Sequence, residues 1–470
     1  MAGISNIGAE AQKVNSVKTE KEAFFCTTKE LSRLGLEQIP TQFQSHKHLI
    51  YSSPATLAFN SPGAEGFGVK RAGLAVPDSI MLIVAPGCCG RNTSLISSMK
   101  EYNDRFYYLM MDETDIVTGR HLKKIPKAVE EICSVCPKKP SVVMICITCV
   151  DALLGTDMER VCKKAEERVE IPVRPCYMYA LTREGRKPPM VHVRQSLYSL
   201  LEPGKKKGNV VNLLGFFSPL VDDCEIYELL HSAGVKTIHE ISRCKDYKEY
   251  QTMSEANFNL VLHHEARFAA EDFHNRLQIP FIELRRLYQI DKIENQYHAL
   301  GNALGVTFHD EKYKKQAENA LEKFRKKCPD ASFAIGECLN ADPFELSLAL
   351  IRYGFSVPEI YGTITVENFT YIRSLAKISP ETKVFSNMEP TMIYYDPAKS
   401  GVNLAIGKDA CYYHPDCPYV MWNGEEQPYG YAGYPEAAER MHNKKISHER
   451  FDWSTEFPDT TNEPIKSLSL

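Results

Sequence analysis

The sequence predicts an α/β protein with three Rossmann-like, doubly wound parallel-sheet domains around a central cleft. Three observations support this fold class: short apolar segments alternate with helical segments, the alternation restarts after a Pro-Gly-Lys linker at 203–205, and it restarts again after a charged helical segment at 311–328. Such alternation is typical of parallel sheets covered by helices. A chain of 470 residues also exceeds what one hydrophobic core usually serves.

The predicted domain boundaries follow these restarts. Residues 1–75 form an N-terminal arm, with a polar helical segment at 21–46 that we expect to lie across another subunit. Residues 76–204 and 205–330 form the first and second α/β domains, and residues 331–470 form the third with a C-terminal tail. Ligands are therefore expected at strand carboxyl ends and in the clefts between domains.

Each domain repeats the same pattern of strand and helix. In the first domain the predicted strands are Ile80–Ala85, Phe106–Met111 and Ser141–Ile145, with a helix at Leu122–Cys133. In the second domain they are Asn209–Leu214, Lys236–Ile241, Phe258–Leu262 and Ile279–Leu284, with helices at Cys224–Ala233 and Phe268–Leu277. In the third domain they are Ser332–Ile335, Lys383–Phe385 and Val402–Ile406, with a helix at Pro343–Tyr353. Continuous apolar strands such as the first indicate a sheet buried on both faces.

Composition narrows the function classes. A hydrophobic content of 43% and a charged content of 25% are globular values, which argue against disorder. A net charge of -4 without a sustained Lys/Arg cluster argues against nucleic acid as a partner. The polar start and the lack of a long apolar run predict neither a signal peptide nor a membrane span. A cytoplasmic protein is therefore expected.

The 15 cysteines are expected to be buried thiols, metal ligands or redox groups, because the cytoplasm disfavours disulfides. Cys133-x-x-Cys136 followed by Cys146-x-x-Cys149 has the spacing of a four-cysteine zinc site. Against zinc, Cys133 lies on the apolar face of a predicted helix, and the flanks lack glycine knuckles. Because the spacing alone fits zinc, a zinc-stapled α/β binding protein is the alternative interpretation.

A second grouping uses the cysteines at strand ends. The pairs Cys88/Cys89 and Cys146/Cys149 each follow a predicted parallel strand, so both turns face the same edge of one sheet. Thiolates are the soft ligands of iron-sulfur clusters. Two cysteines per chain suffice when a two-fold axis pairs two chains around one four-iron cluster.

The same turns resemble those of a known family. Ala85-Pro-Gly-Cys-Cys-Gly90 resembles the glycine-rich cluster-binding turn of nitrogenase component 1 subunits, and Cys146-Ile-Thr-Cys149 with Gly155-Thr-Asp157 is similar to their second turn. Weaker matches follow in order at Asn257–His263, Asp342–Leu346, Leu404–Asp409 and Tyr429–Tyr434. This family includes nitrogenases, their cofactor scaffold proteins, the dark-operative protochlorophyllide reductase and the reductase that makes a nickel tetrapyrrole.

The resemblance implies Cys89 and Cys149 as the metal ligands of the cluster, with Cys88 and Cys146 as substitutes. Nitrogenase subunits supply a third cysteine upstream of the first turn. The resemblance places Ser61, in Asn-Ser-Pro-Gly, at that cofactor-binding position. An iron-sulfur cluster of the 4Fe-4S type, shared between chains, is therefore favoured over an eight-iron cluster.

His263 and His264 are the candidate catalytic residues. They follow a second-domain strand where nitrogenase has a cysteine that anchors its large cofactor. A strand-end histidine in a cleft can donate a proton or bind a metal, whereas bonding to neighbouring backbone is the ordinary alternative. No histidine sits at the matching third-domain place around Tyr429–Tyr434, so dinitrogen reduction by that cofactor is not expected. A different second metal cofactor in the cleft stays open.

The resemblance implies a nitrogenase-like reductase subunit. By the same resemblance, low-potential electrons come from a separate ATP-dependent iron protein. The absence of a GxxxxGK[ST] segment for nucleotide hydrolysis in this chain fits that division of labour. The substrate is a small organic or tetrapyrrole-like molecule, and the partner is a second copy or a homologous subunit. A non-catalytic scaffold for metallocluster assembly is the other alternative.

The turn at Gly336-Glu337 is interpreted as an ordinary helix start. Asp342 is the predicted cap of this helix, and Pro343 is its predicted first residue.

Overall fold

The computed structural model describes residues 22–44, 53–58, 68–87, 102, 104–178, 187–424, 426–434 and 467–468. Three predicted ligands, Ser61, Cys88 and Cys89, lie outside the described residues. The described chain divides into two compact units, each treated by itself below. One unit holds residues within 63–319, 424–436 and 452–470, and the other holds residues within 1–62 and 320–423.

Strands and helices alternate along the described chain. The strands are β1 (Phe25–Thr27), β2 (Ile80–Ala85), β3 (Phe106–Met110), β4 (Val143–Ile147), β5 (Val173–Tyr177), β6 (Val210–Leu214), β7 (Thr237–His239), β8 (Phe258–Val261), β9 (Phe281–Glu283), β10 (Ser332–Ile335), β11 (Ser356–Tyr361), β12 (Lys383–Phe385), β13 (Leu404–Ile406), β14 (Tyr419–Val420) and β15 (Ser467–Leu468). The helices are α1 (Thr28–Leu34), α2 (Pro54–Ala58), α3 (Gly68–Ala72), α4 (Glu113–Thr118), α5 (His121–Val135), α6 (Cys149–Leu154), α7 (Met158–Val169), α8 (Pro189–Tyr198), α9 (Glu225–Ser232), α10 (Tyr247–Gln251), α11 (Arg267–Leu277), α12 (Ile290–Leu304), α13 (Glu311–Lys327), α14 (Pro343–Arg352), α15 (Phe369–Ile378) and α16 (Lys408–Tyr413). None of these helices is long and apolar enough to cross a membrane.

The unit around residues 63–319 contains two parallel sheets. The first sheet has the strand order β15-β3-β2-β4-β5, and the second has the order β7-β6-β8-β9. All six residues of β2 are buried, and they alternate between two hydrophobic cores because successive side chains of a strand point to opposite faces. One of these cores also takes in β6, β8 and α11, so it joins the two sheets.

The other unit contains the third sheet, with the order β1-β12-β11-β10-β13-β14. Its strands are parallel except β1, which pairs antiparallel with β12. The prediction of a helical arm at 21–46 is therefore wrong for Phe25–Thr27. Phe25 packs its ring 5.6 Å from Phe385, and the following Thr27 caps α1 through Glu30.

The three parallel sheets confirm the predicted α/β class. In each sheet the chain adds strands on one side of its first parallel strand and later adds strands on the other side. The order therefore reverses between β2 and β4, between β6 and β8, and between β10 and β13. Ligands of doubly wound folds bind at the carboxyl ends of the strands beside such reversals. We therefore call these three places the first, second and third carboxyl edges.

Candidate functional site

The first carboxyl edge is where the two cysteine turns begin. β2 and β4 are hydrogen-bonded neighbours, with Val84 opposite Ile147, so the turns that follow them leave the sheet side by side. Cys149 is the first residue of α6. The described residues therefore bring the ends of the two strands together, while Cys88 and Cys89 lie outside them.

The backbone before the first cysteine turn is fixed by a tyrosine. Tyr108, on the neighbouring β3, donates its hydroxyl hydrogen bond to the carbonyl oxygens of Ala85, at 3.1 Å, and of Pro86. Before the second turn, Thr148 is fully buried, and its hydroxyl has no partner within the described part of the chain. A buried hydroxyl without a partner is costly, so Thr148 leaves one polar group at this edge for a bound group to satisfy.

A buried His-Asp pair anchors α6 beyond Cys149. The two ring nitrogens of His121 lie 3.0 Å from a carboxylate oxygen of Asp151 and 3.0 Å from the carbonyl oxygen of Asp115. Burial works against the charged ring, but the hydrogen bonds to these acceptors raise the pKa of His121 above its ordinary value. A protonated His121 donates to both acceptors and ties α5 to α6.

Cys146 lies inside β4 rather than in the turn. It is fully buried, sits opposite Cys176 on β5, and burial raises the pKa of its thiol to about 11. Cys146 is therefore a residue of the hydrophobic core rather than of the turn.

The other two cysteines of the predicted zinc site lie elsewhere. Cys133 and Cys136 lie at the end of α5, which leads to the amino end of β4, whereas Cys149 follows its carboxyl end. The five residues of β4 span about 16 Å at ~3.3 Å per residue. Cys136 instead lies 3.1 Å from the hydroxyl of Tyr107. No group of three or more His, Cys, Asp or Glu side chains that could hold a metal occurs in the described part of the chain.

The second carboxyl edge brings His263 against Gly215. Gly215, after β6, has a φ of +137°, and a Cβ atom there would lie 2.7 Å from the backbone nitrogen of His263. The rings of His263 and His264 stack with centroids 4.6 Å apart. Glycine therefore allows the turn after β6 to touch the turn after β8, which directs His263 to the reversal point.

His263 is a neutral ring with a defined proton. Its Nδ1 atom accepts from the backbone N–H of Glu265 at 3.3 Å, which assigns the proton to Nε2. Burial, with the positive charges of Arg194 and Arg286 nearby, lowers the pKa of His263 well below its ordinary value. His264 is exposed, so the structure separates the two candidate histidines.

Two arginines flank this edge and differ in their partners. Arg194 donates to the Gly215 carbonyl oxygen at 2.6 and 2.9 Å and forms a 2.7 Å ion pair with Glu265. Arg286 donates to Gln427 at 2.7 Å and lies 4.3 Å from the ring centre of Phe216. Neither arginine was predicted as a site residue. Arg286 follows the predicted strand Ile279–Leu284, a signal that could have placed it at this edge, whereas Arg194 lies within α8.

The third carboxyl edge holds two carboxylates. Asn387, after β12, donates from one amide nitrogen to Asp409 at 2.6 Å and to Glu337 at 3.3 Å. Burial raises the pKa of Glu337 and of Asp409, and the charge of Asp409 raises that of Glu337 further. Thr363 donates its backbone N–H to Glu337 at 2.9 Å.

The residues interpreted as structural at this edge have structural contacts. Asp342 accepts from the backbone N–H groups of Phe344 and Glu345 at 2.9 and 3.0 Å, which confirms it as the cap of α14. The carboxylate pair beside it was missed, since its members lie 72 positions apart.

The fold and the three edges define a doubly wound α/β protein with cysteine turns at its first carboxyl edge. The chain belongs to the nitrogenase component 1 type oxidoreductases, whose family model matches residues 65–416. This match confirms the family expected from the cysteine turns.

Three relatives carry the description nitrogenase iron-molybdenum cofactor biosynthesis protein NifE. The protein of Sinorhizobium fredii (strain NBRC 101917 / NGR234) is 24% identical over 88% of each chain. That of Nostoc sp. (strain PCC 7120 / SAG 25.82 / UTEX 2576) is 25% identical over 57% of this chain and 58% of its own. That of Clostridium pasteurianum is 24% identical over 53% and 54%. The chain thus spans little more than half the length of the last two.

A solved structure described as "Nitrogenase Cp1 at pH 6.5" shares the fold. It superimposes with a TM-score of 0.64 at 18% identity, covering 84% of this chain and 92% of its own. A second structure, "Nitrogenase Cp1 at pH 5", gives a TM-score of 0.54 at 16% identity.

Proposed function

We propose that the chain is a nitrogenase-like reductase subunit of the cytoplasm. It receives low-potential electrons at a 4Fe-4S cluster held by the turns of Cys89 and Cys149, and it reduces a small organic or tetrapyrrole-like substrate. The observation that carries the proposal is the origin of both turns from adjacent strands at the first carboxyl edge. The burial of Cys146 in the hydrophobic core of β4 favours Cys149 as the second ligand.

The partners follow from the same arrangement. Two cysteines per chain leave a four-iron cluster half ligated, so a second copy or a homologous subunit supplies the others across a symmetry axis. A separate ATP-dependent iron protein delivers the electrons. The cluster supplies single-electron steps, while His263 holds a transferable proton on Nε2 at the second carboxyl edge.

The ligand assignment is tested with the variant Cys149→Ala and the matched control Cys328→Ala. Cys328 follows the charged helix α13 and belongs to no carboxyl edge. After anaerobic purification, Cys149→Ala is expected to lose most of its iron, sulfide and visible absorption, whereas Cys328→Ala keeps them. Equal iron in both variants, or zinc without sulfide in the unaltered protein, would contradict the proposal.

The second candidate function is a scaffold for metallocluster assembly, which the descriptions of the relatives favour. A scaffold carries the same cluster turns but turns over no substrate. The full complex is therefore mixed with the iron protein, ATP and a panel of unsaturated organic and tetrapyrrole substrates. Reduction of any of them supports the reductase, while transfer of iron and sulfide to an acceptor protein without reduction supports the scaffold.

A further inference from the structure

Arg286 at the second carboxyl edge carries a positive charge without a negative partner. Among the described residues, its guanidinium group makes a single hydrogen bond, from Nη2 to the side-chain oxygen of Gln427. Its Nε–H group is buried and has no acceptor. Within the described residues no carboxylate pairs with it. Removing a charge from water is costly unless the charge is paired and hydrogen-bonded, so an anionic ligand would stabilise Arg286.

The other charges at this edge are already accounted for. Arg194 is paired with Glu265 at 2.7 Å, so these two groups cancel. His263 accepts at Nδ1 from a backbone N–H and is neutral. Among the described residues of this edge, Arg286 therefore differs from Arg194 in having no ion-pair partner.

His263 adds a second unused donor to the same place. With Nδ1 acting as acceptor, its Nε2–H group points away from that bond and has no partner within the described part of the chain. The ring of Phe216 connects the two donors, because it lies 4.3 Å from the Arg286 guanidinium carbon and 5.8 Å from the His263 ring centre. Phe216 is half-buried and offers an aromatic edge beside both.

We propose that the second carboxyl edge binds an organic molecule through one carboxylate group, seated between the Arg286 guanidinium and the His263 Nε2–H, with the carbon skeleton beside Phe216. A guanidinium fork matches the two oxygens of a carboxylate. One carboxylate also balances the charge of Arg286, whereas a phosphate dianion would bring one more negative charge than Arg286 neutralises. The proposal rests on the proposed function only in identifying this molecule as the substrate.

The binding step can be tested without turnover. The full-length protein is purified anaerobically and titrated with benzoate, an aromatic monocarboxylate, followed by saturation-transfer NMR and calorimetry. Benzamide, which keeps the shape and lacks the charge, and inorganic phosphate are titrated in parallel. We expect saturable binding of benzoate, at least about tenfold weaker binding of benzamide, since ionic hydrogen bonds are the stronger ones, and weaker binding of phosphate.

Three variants assign the binding to Arg286. Arg286→Gln is expected to weaken benzoate binding at least about tenfold, and Arg286→Lys is expected to be intermediate, because lysine keeps the charge but loses the fork. The neighbouring Arg285→Gln is the matched control, since Arg285 is exposed, and is expected to bind benzoate as the unaltered protein does. Thermal melts verify that each variant is folded.

Several outcomes overturn the inference. They are equal benzoate affinity in Arg286→Gln and Arg285→Gln, equal affinity for benzoate and benzamide, or tighter binding of phosphate. Benzoate binding that depends on Arg286 in a protein without iron would sink the proposed function and leave this site standing. An intact cluster in a protein that does not bind benzoate would do the reverse.

Discussion

The second and third carboxyl edges occupy equivalent places in their sheets, yet the second presents arginines and the third presents carboxyl groups. At the second edge, Arg286 has no carboxylate partner among the described residues, and the lowered pKa of His263 favours its neutral ring. At the third edge, Glu337 and Asp409 share one amide group of Asn387, and no ion pair to either carboxylate occurs within the described residues. Strand order therefore fixes where a site can form, while a few turn residues fix which ligand charge it accepts.

The two edges also differ in how they stabilise their charge. Arg286 relies on an aromatic ring and one side-chain amide. Asp409 accepts from the backbone N–H groups of Glu337 and Cys338, at 2.8 and 3.0 Å. Backbone donors are fixed in position, so the hydrogen bonds that stabilise the Asp409 carboxylate are already present. Arg286 at the second edge lacks a comparable set of acceptors among the described residues.

The largest effect is expected for Asn387→Asp. Asn387 is 3% exposed, so this isosteric change removes the bridging donor and adds a third buried carboxyl group beside Glu337 and Asp409. The free energy of unfolding at neutral pH should fall by about 3 kcal/mol, the usual cost of an uncompensated buried charge. The loss, measured by urea unfolding, should shrink on acidification as a proton neutralises the cluster.

The control for this change is Asn275→Asp, on the exposed face of α11. A surface substitution of this kind should alter the free energy of unfolding by no more than about 0.5 kcal/mol. Equal effects of the two substitutions would mean that the third edge contains a compensating positive charge. The contrast between the two edges would then fail.

A smaller effect is expected for Gly215→Ala at the second edge. The positive φ of Gly215 and the 2.7 Å approach of the added Cβ to the His263 backbone should cost about 1–3 kcal/mol of stability. The displaced His263 should also weaken benzoate binding. Gly208→Ala is the matched control, because an added Cβ meets no atom within 4 Å there. Equal benzoate affinity in the two variants would mean that His263 does not contact the ligand.

These comparisons also indicate what the sequence could predict. The positions of the parallel strands were predicted well, because runs such as Ile80–Ala85 are continuously apolar and are buried on both faces of the sheet. The segment around Phe25 was predicted as a helix and is instead an antiparallel strand on the third sheet. Its pairing with β12, more than 350 positions away, leaves no local pattern to detect.

Some residues of the candidate site were predicted from the sequence and others were not, and the difference has a physical reason. His263 and the cysteine turns stand directly after apolar strands, so topology alone places them at a carboxyl edge. Arg286 and Asn387 gain their significance from partners distant in sequence, Gln427 and Asp409 among them. Whether a buried charge finds a partner is a property of tertiary packing, which composition and spacing do not encode. The ligand roles of Cys89, Cys149 and Ser61 stay predictions.

The smallest expected effect is a difference in pH dependence between the edges. Burial and the facing charges of Arg194, His264 and Arg286 lower the pKa of His263 below its ordinary 6.5, with Glu265 3.7 Å away. Below pH 6.5 the unfolded chain therefore binds a proton that the native chain does not, and stability falls as the pH falls. Glu337 acts in the opposite sense: burial and Asp409 raise its pKa above 4.5, so its contribution is present below pH 4.5 and is lost as the pH rises through the raised value.

Urea midpoints measured from about pH 7.5 down to about pH 5 separate the two contributions. His263→Gln should flatten the loss of stability below pH 6.5, because glutamine cannot take up the proton. His264→Gln changes an exposed ring that stacks on His263 and should leave that slope in place. Glu337→Gln should remove the opposing gain at low pH. If all three variants kept the slope of the unaltered protein, neither edge would hold the protonation state inferred from its hydrogen bonds, and the charge contrast between the edges would have to be abandoned.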